Sequence, residues 1–111
     1  MSEQGNWHAS LAKFEQGLAS VDVPFFSGLA HGSMTVELFR PQGMDTQTPH
    51  MQDELYLIRS GSSSFLRDGE RVSVAAGDVL FVPAGMDHRF EDFSDDFDTW
   101  VIFWGPEGGE E

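Results

Sequence analysis

Gly77-Asp78-Val79-Leu80-Phe81-Val82-Pro83-Ala84-Gly85-Met86-Asp87-His88-Arg89-Phe90-Glu91-Asp92 is the stretch on which the reading of this 111-residue chain turns. Ala76-Gly77-Asp78 turns the chain into Val79–Val82, an apolar run that predicts a strand. Pro83 stops it, because proline has no N–H to give to a ladder. Past the Pro-Ala-Gly turn, His88 stands in a polar stretch beside a strand, next to turn-forming residues.

The residues on either side repeat this rhythm. Asp68-Gly69 is a strong hairpin signal, so Ser63–Arg67 should pair with Arg71–Val74. Leu55-Tyr56-Leu57-Ile58 is apolar without helical spacing and predicts a strand buried on both faces. Tyr56 and Ile58 share the parity of Glu54 and should point inward, with Leu55 and Leu57 outward. Met34, Val36 and Leu38 alternate with Thr35, Glu37 and Phe39, the period of a strand. A last strand spans about Asp98 to Trp104. Short strands at this spacing, separated by Gly, Pro and Asp turns, indicate an all-β sandwich or barrel.

The ends read differently. Leu11, Phe14 and Leu18 fall at spacings of three and four, which predicts one short N-terminal helix capped by Ser10. The organisation expected is an N-terminal extension over residues 1–32, a β body over 33–104 and a flexible acidic tail over 105–111. The strand Trp100–Trp104 is apolar on both faces, so it needs cover from the helix or from a second copy in a homodimer.

Composition narrows the function classes. Six Lys plus Arg against 19 Asp plus Glu give a net charge of −13, which argues against nucleic acid or an anionic membrane surface as partner. The N-terminus has neither a basic stretch nor an apolar run, so a cytoplasmic location is expected. Cysteine is absent, so any bound metal must use His and carboxylate ligands. Four histidines are present. His8 and His31 read as surface or packing residues, as does each of Arg40, Arg59, Arg67 and Arg89 paired with nearby acids. Glu91–Asp98 reads as a solvated turn with Phe93 and Phe97 tucked inward.

His50 and His88 with Glu54 form a neutral-imidazole and carboxylate set suited to Fe(II), Mn, Ni, Cu or Zn. His50 and Glu54 are four residues apart. In a straight strand they would lie about 13 Å apart, too far to share a metal, so Met51-Gln52-Asp53 must bend or bulge.

These spacings resemble the two motifs of the cupin superfamily. Gly77, Pro83, Gly85 and His88 match the second motif at every interval, with Asp92 where the family has Asn. Glu54 and Gly61 keep the spacing of the first motif, and His50 stands where its second His belongs. Thr48 occupies the place of the first His, and Gly43 lies one residue from the expected start. The resemblance implies a double-stranded antiparallel β-barrel, a jelly roll, holding a divalent metal through His50, Glu54 and His88. Gln52 or water would fill the place left by the histidine. It also implies a small-molecule substrate and oxygenase or isomerase chemistry, the alternative being a barrel that binds or senses a ligand without turning it over.

Overall fold

The computed structural model describes residues 7–111. Ser10 caps α1 (Leu11–Ala19), its hydroxyl accepting from the Lys13 amide at 3.2 Å. Eight strands follow: β1 (Phe25–His31), β2 (Met34–Phe39), β3 (Asp53–Ser60), β4 (Ser62–Arg67), β5 (Glu70–Ala75), β6 (Val79–Val82), β7 (His88–Glu91) and β8 (Asp98–Trp104). They form a five-stranded sheet, β1-β2-β8-β3-β6, and a three-stranded sheet, β5-β4-β7. Every pairing is antiparallel. The fold is the all-β jelly roll with one short helix, although the two sheets keep separate ladders and the barrel is not closed by continuous pairing.

The chain changes sheet at Gly61, between β3 and β4. Its φ is +80°, and a Cβ there would sit 2.7 Å from the Phe97 Cα, so only glycine fits this corner. The core lies between the sheets, where Tyr56, Ile58 and Val101 meet Phe65, Val74 and Phe90. The Phe90 ring lies 4.7 Å from Phe65 and 5.0 Å from Tyr56, the close edge and tilted packing that aromatic rings favour. Parity within β3 is as expected: Tyr56 and Ile58 are buried and Leu57 is exposed.

Two features differ from the sequence expectation. Residues 25–31, placed in an extension, form a strand of the large sheet paired with β2. Gly28 and a register shift between Ser27 and Leu29 break the alternation that would have revealed it. The glycine is there because the Phe14 ring of α1 would lie 2.5 Å from a Cβ at that position. Phe14 also packs edge-on against Trp100 at 4.8 Å, so α1 supplies cover for the outer face of β8. The acidic tail, expected to be frayed, is tied down. Gly108 donates its amide to the Met51 carbonyl at 2.7 Å, and Glu110 donates to Asp53 Oδ2 at 2.9 Å.

Candidate metal centre

Each of the three candidate ligands arrives from a different local device. Glu54 is carried by β3, opposite Phe103 of β8 and Val82 of β6, which places its carboxylate inside with almost no solvent contact. His88 opens β7 immediately after the Pro83–Met86 turn, and its side chain is fully buried. His50 comes from the loop before β3. Its carbonyl accepts from the Gly85 amide at 2.8 Å, so the turn that launches His88 also anchors the backbone of His50. The bend required between His50 and Glu54 is present at residues 51–52. It brings His50 Nε2 to 3.9 Å from Glu54 Oε1.

His88 Nε2 lies 3.0 Å from the same carboxylate oxygen. One donor atom from each of His50, Glu54 and His88 falls within 4.8 Å of the others. The proton on His88 can be located by chemistry. Nδ1 is 2.8 Å from the Met86 carbonyl oxygen, which carries no hydrogen, so Nδ1 must be the N–H donor. In the neutral ring Nε2 is then a bare lone pair facing a carboxylate, acceptor against acceptor. Both His88 Nε2 and Glu54 Oε2 are buried without a well-formed hydrogen bond. A second proton on His88 or a cation between the groups relieves this conflict. The donor set of two imidazoles and one carboxylate, with one imidazole oriented by a backbone carbonyl, fits a divalent transition metal.

Electrostatics separates the two histidines. Burial pulls the His88 imidazole down, but contact with Glu54, the charge of that carboxylate and the Met86 carbonyl together outweigh it and leave the pKa raised. For His50, burial dominates over the pull of Glu54 and, with the neighbouring His88, holds the pKa below its ordinary value. Burial thus favours a neutral His50, whereas the Glu54 carboxylate favours a proton on His88.

The structure departs from expectation at the fourth ligand. Gln52 faces away from the centre, its amide donating to the carbonyls of Ser33 at 3.0 Å and Gly105 at 2.9 Å. Thr48 is exposed. The amide that reaches the centre is that of Gln47, whose Oε1 lies 3.1 Å from His50 Nε2 and accepts from the Tyr56 hydroxyl at 3.1 Å. Asp53 serves the frame: its carboxylate accepts from the amides of Ala84 at 3.0 Å and Glu110 at 2.9 Å. Those bonds hold its pKa low, the Glu110 amide acting most strongly.

His50 and Glu54 sit in the wall of a cavity of about 840 Å³. Phe25, Phe39, Tyr56 and Phe103 supply much of its apolar surface, and Glu37 of β2 also lines it. Burial, then the charge of Glu54, push Glu37 up to about 7. Glu37 was missed in the sequence, although it shares the parity of the buried Phe39. Arg40 reaches the same cavity with its guanidinium engaged by Asp98 at 2.8 Å and Glu15 at 3.4 Å. Arg59 and Arg89 are likewise paired with acids, while Arg67 donates to the Phe81 carbonyl. Asp92, where the family has Asn, adopts φ +55°, a conformation that both residue types tolerate better than most.

The family model described as "Cupin domain" matches residues 35–103. The chain belongs to the cupin family. A curated but uncharacterized protein of Streptomyces coelicolor is 35% identical to this cupin over 99 residues, covering 87% of this chain and 94% of the relative. Among solved structures, a cupin superfamily protein from Desulfitobacterium hafniense aligns with TM-score 0.62 and 22% identity, over 74% of this chain and 76% of the other. A chain from crystal structures of the DMSP lyases RdDddP and RnDddQII aligns with TM-score 0.64 and 22% identity, over 75% of this cupin and 47% of that chain. At these identities the structural matches establish the fold alone. No helix among the described residues is long and apolar enough to cross a membrane.

Proposed function

We propose that this cupin binds one divalent transition metal, of the class Fe, Mn, Ni, Cu or Zn, through His50, Glu54 and His88, and uses it in an enzymatic reaction on a small molecule held in the adjoining cavity. The observation that carries this reading is the buried approach of His88 Nε2 to the Glu54 carboxylate at 3.0 Å, with Nδ1 already committed to the Met86 carbonyl. A bound metal would supply Lewis acidity or an oxygen-binding centre. The chain's own residues do the rest. The aromatic wall excludes water from the reacting groups, and Tyr56 fixes Gln47. Glu37 can take or give a proton near neutral pH without a partner competing for it.

Glu37 is also what favours an enzyme over a barrel that only binds or senses a ligand, since a carboxyl pushed up to about 7 in the same cavity as His50 and Glu54 suits proton transfer. Oxygenase or isomerase chemistry is the finer reading. We also propose a cytoplasmic homodimer with no nucleic-acid or membrane partner. The exposed side chains of Leu57, Val79 and Phe81 on β3 and β6 support a self-association face.

Metal content measured by elemental analysis, after reconstitution of the purified protein with each of the five metals, tests the site. Close to one equivalent is expected in the wild type and a small fraction of that in His50→Ala and His88→Ala. No retained metal in the wild type would refute the proposal.

A further inference from the structure

Gln47 is held as a ligand would be held. Its side-chain Nε2 donates to Asp45 Oδ2 at 2.6 Å, and its backbone amide donates to Asp45 Oδ1 at 3.1 Å. Asp45 is itself buried and accepts from the Phe90 amide at 2.9 Å, which fixes it to β7 beside His88. A carboxylate can only accept, so the NH₂ end of Gln47 must face Asp45 and the carbonyl oxygen must face inward. The reverse orientation would set oxygen against oxygen at Asp45. The amide dipole is thereby aimed at the space between His50 Nε2 and the Tyr56 hydroxyl, each 3.1 Å away.

Resting on the metal-binding reading above, we propose that Gln47 Oε1 is the fourth protein donor of this site. It takes the place left by the histidine that Thr48 replaces in the sequence motif. Thr48 is exposed and Gln52 is committed to two backbone carbonyls, so neither can supply that donor. The substitution changes the chemistry of the site. An amide oxygen is harder than imidazole nitrogen, so a set of two nitrogens and two oxygens shifts preference toward the harder Fe(II) and Mn(II) and away from Cu(II) and Ni(II). Asp45 strengthens the effect, because its negative charge on the NH₂ group pushes electron density toward Oε1.

The test uses the full chain loaded with Cu(II), read by pulsed electron paramagnetic resonance, which counts coordinated imidazoles, together with Mn(II) affinity by titration. Two imidazoles are expected in the wild type and three in Gln47→His, because a ring at position 47 reaches the same ion. Gln47→Leu should keep two imidazoles and weaken Mn(II) binding by at least the roughly 10–100-fold typical of groups that only orient a ligand. A residue that merely propped the loop would not change the imidazole count. Two imidazoles in Gln47→His with Mn(II) affinity unchanged in Gln47→Leu would overturn the role of Gln47 while leaving the three-ligand site intact. A wild type that binds neither metal would overturn both together. Circular dichroism melts of the metal-free variants separate loss of a donor from loss of the fold, and Gln47→His reports independently of Gln47→Leu.

Discussion

Two regions deliver imidazoles to the same carboxylate, and they do so by different means. His88 rides on a tight turn and the first residue of β7. Its Nδ1 is pinned by the Met86 carbonyl, and its side chain is 0% exposed. His50 hangs from a loop held by the Gly85 and Gly108 amides, its ring packed edge-on against Phe103 at 4.9 Å and 34% exposed. In the first region the backbone conformation itself places the ligand, so the spacing of Gly, Pro and His can hardly vary. In the second, amides from distant turns hold the loop of His50, and the Asp45 carboxylate holds the Gln47 side chain. There the chain can lose a histidine and recruit a glutamine one residue away.

The comparison is most easily broken at the residue both regions share. Glu54→Ala should weaken metal binding by more than the roughly 100-fold typical of outer groups, measured by competition with a chromogenic chelator. It should do so whichever metal is used. Equal affinity in the variant would mean that the two histidines hold the ion without the carboxylate.

The two halves should then part in the stability of the metal-free protein. His88→Ala removes one partner of a fully buried pair and leaves Glu54 desolvated, so it should cost about 3–5 kcal/mol in urea denaturation. His50→Ala removes a half-exposed ring and should cost about 1 kcal/mol. Equal costs would erase the distinction between a built-in and a loop-borne ligand. Because His88 is the histidine that competes for a proton, metal binding to wild type at neutral pH should release protons into a weakly buffered solution. His50, held below its ordinary pKa, contributes little to that release.

Glu37 gives a smaller and pH-dependent effect. Its pKa, raised to about 7 from 4.5, means the folded state binds more protons than the unfolded state between those values. Metal-free wild type should therefore lose stability as pH rises through that window. Glu37→Gln, which mimics the protonated form, should match wild type near pH 4 and exceed it by about 1–2 kcal/mol at pH 8. That figure is reduced from the full linkage value because the group is partly solvated. A variant no more stable than wild type at pH 8 contradicts the burial of this carboxyl. The smallest change is expected at Gln52→Ala. Its bonds to Ser33 and Gly105 lie near the surface, so a loss of up to about 1 kcal/mol is expected with metal affinity unchanged. A large fall in affinity would return Gln52 to the site.

What could be read from the sequence follows the same division. The β6–turn–β7 segment was legible down to His88 because proline and glycine there have one structural use each. His50 and Glu54 were legible through their fixed distance to Gly61, and the bend between them followed from strand geometry once both were taken to share a metal. Gln52 is in phase with Glu54 only if strand parity is extended one residue before the start of β3, into a bend where alternation has no meaning, and no spacing in the sequence singles out Gln47. Glu37 was hidden because both faces of β2 are covered, by the cavity wall on one side and by α1 on the other, so parity did not say which face held the site. β1 was hidden by a glycine whose reason lies fourteen residues away, in the ring of Phe14. The docked tail depends on Asp53, whose carboxylate accepts from the Glu110 amide, a long-range contact that no local pattern announces.

The central claim is that the unprotonated faces of His50 and His88 and the buried Glu54 carboxylate enclose a metal. Diffraction from crystals of the reconstituted protein, collected on either side of the metal absorption edge, tests it directly. The account predicts a single anomalous peak among His50 Nε2, His88 Nε2 and the Glu54 carboxylate, with Gln47 Oε1 at its edge. An absent peak, with His88 and Glu54 still 3.0 Å apart as a protonated ion pair, would contradict it.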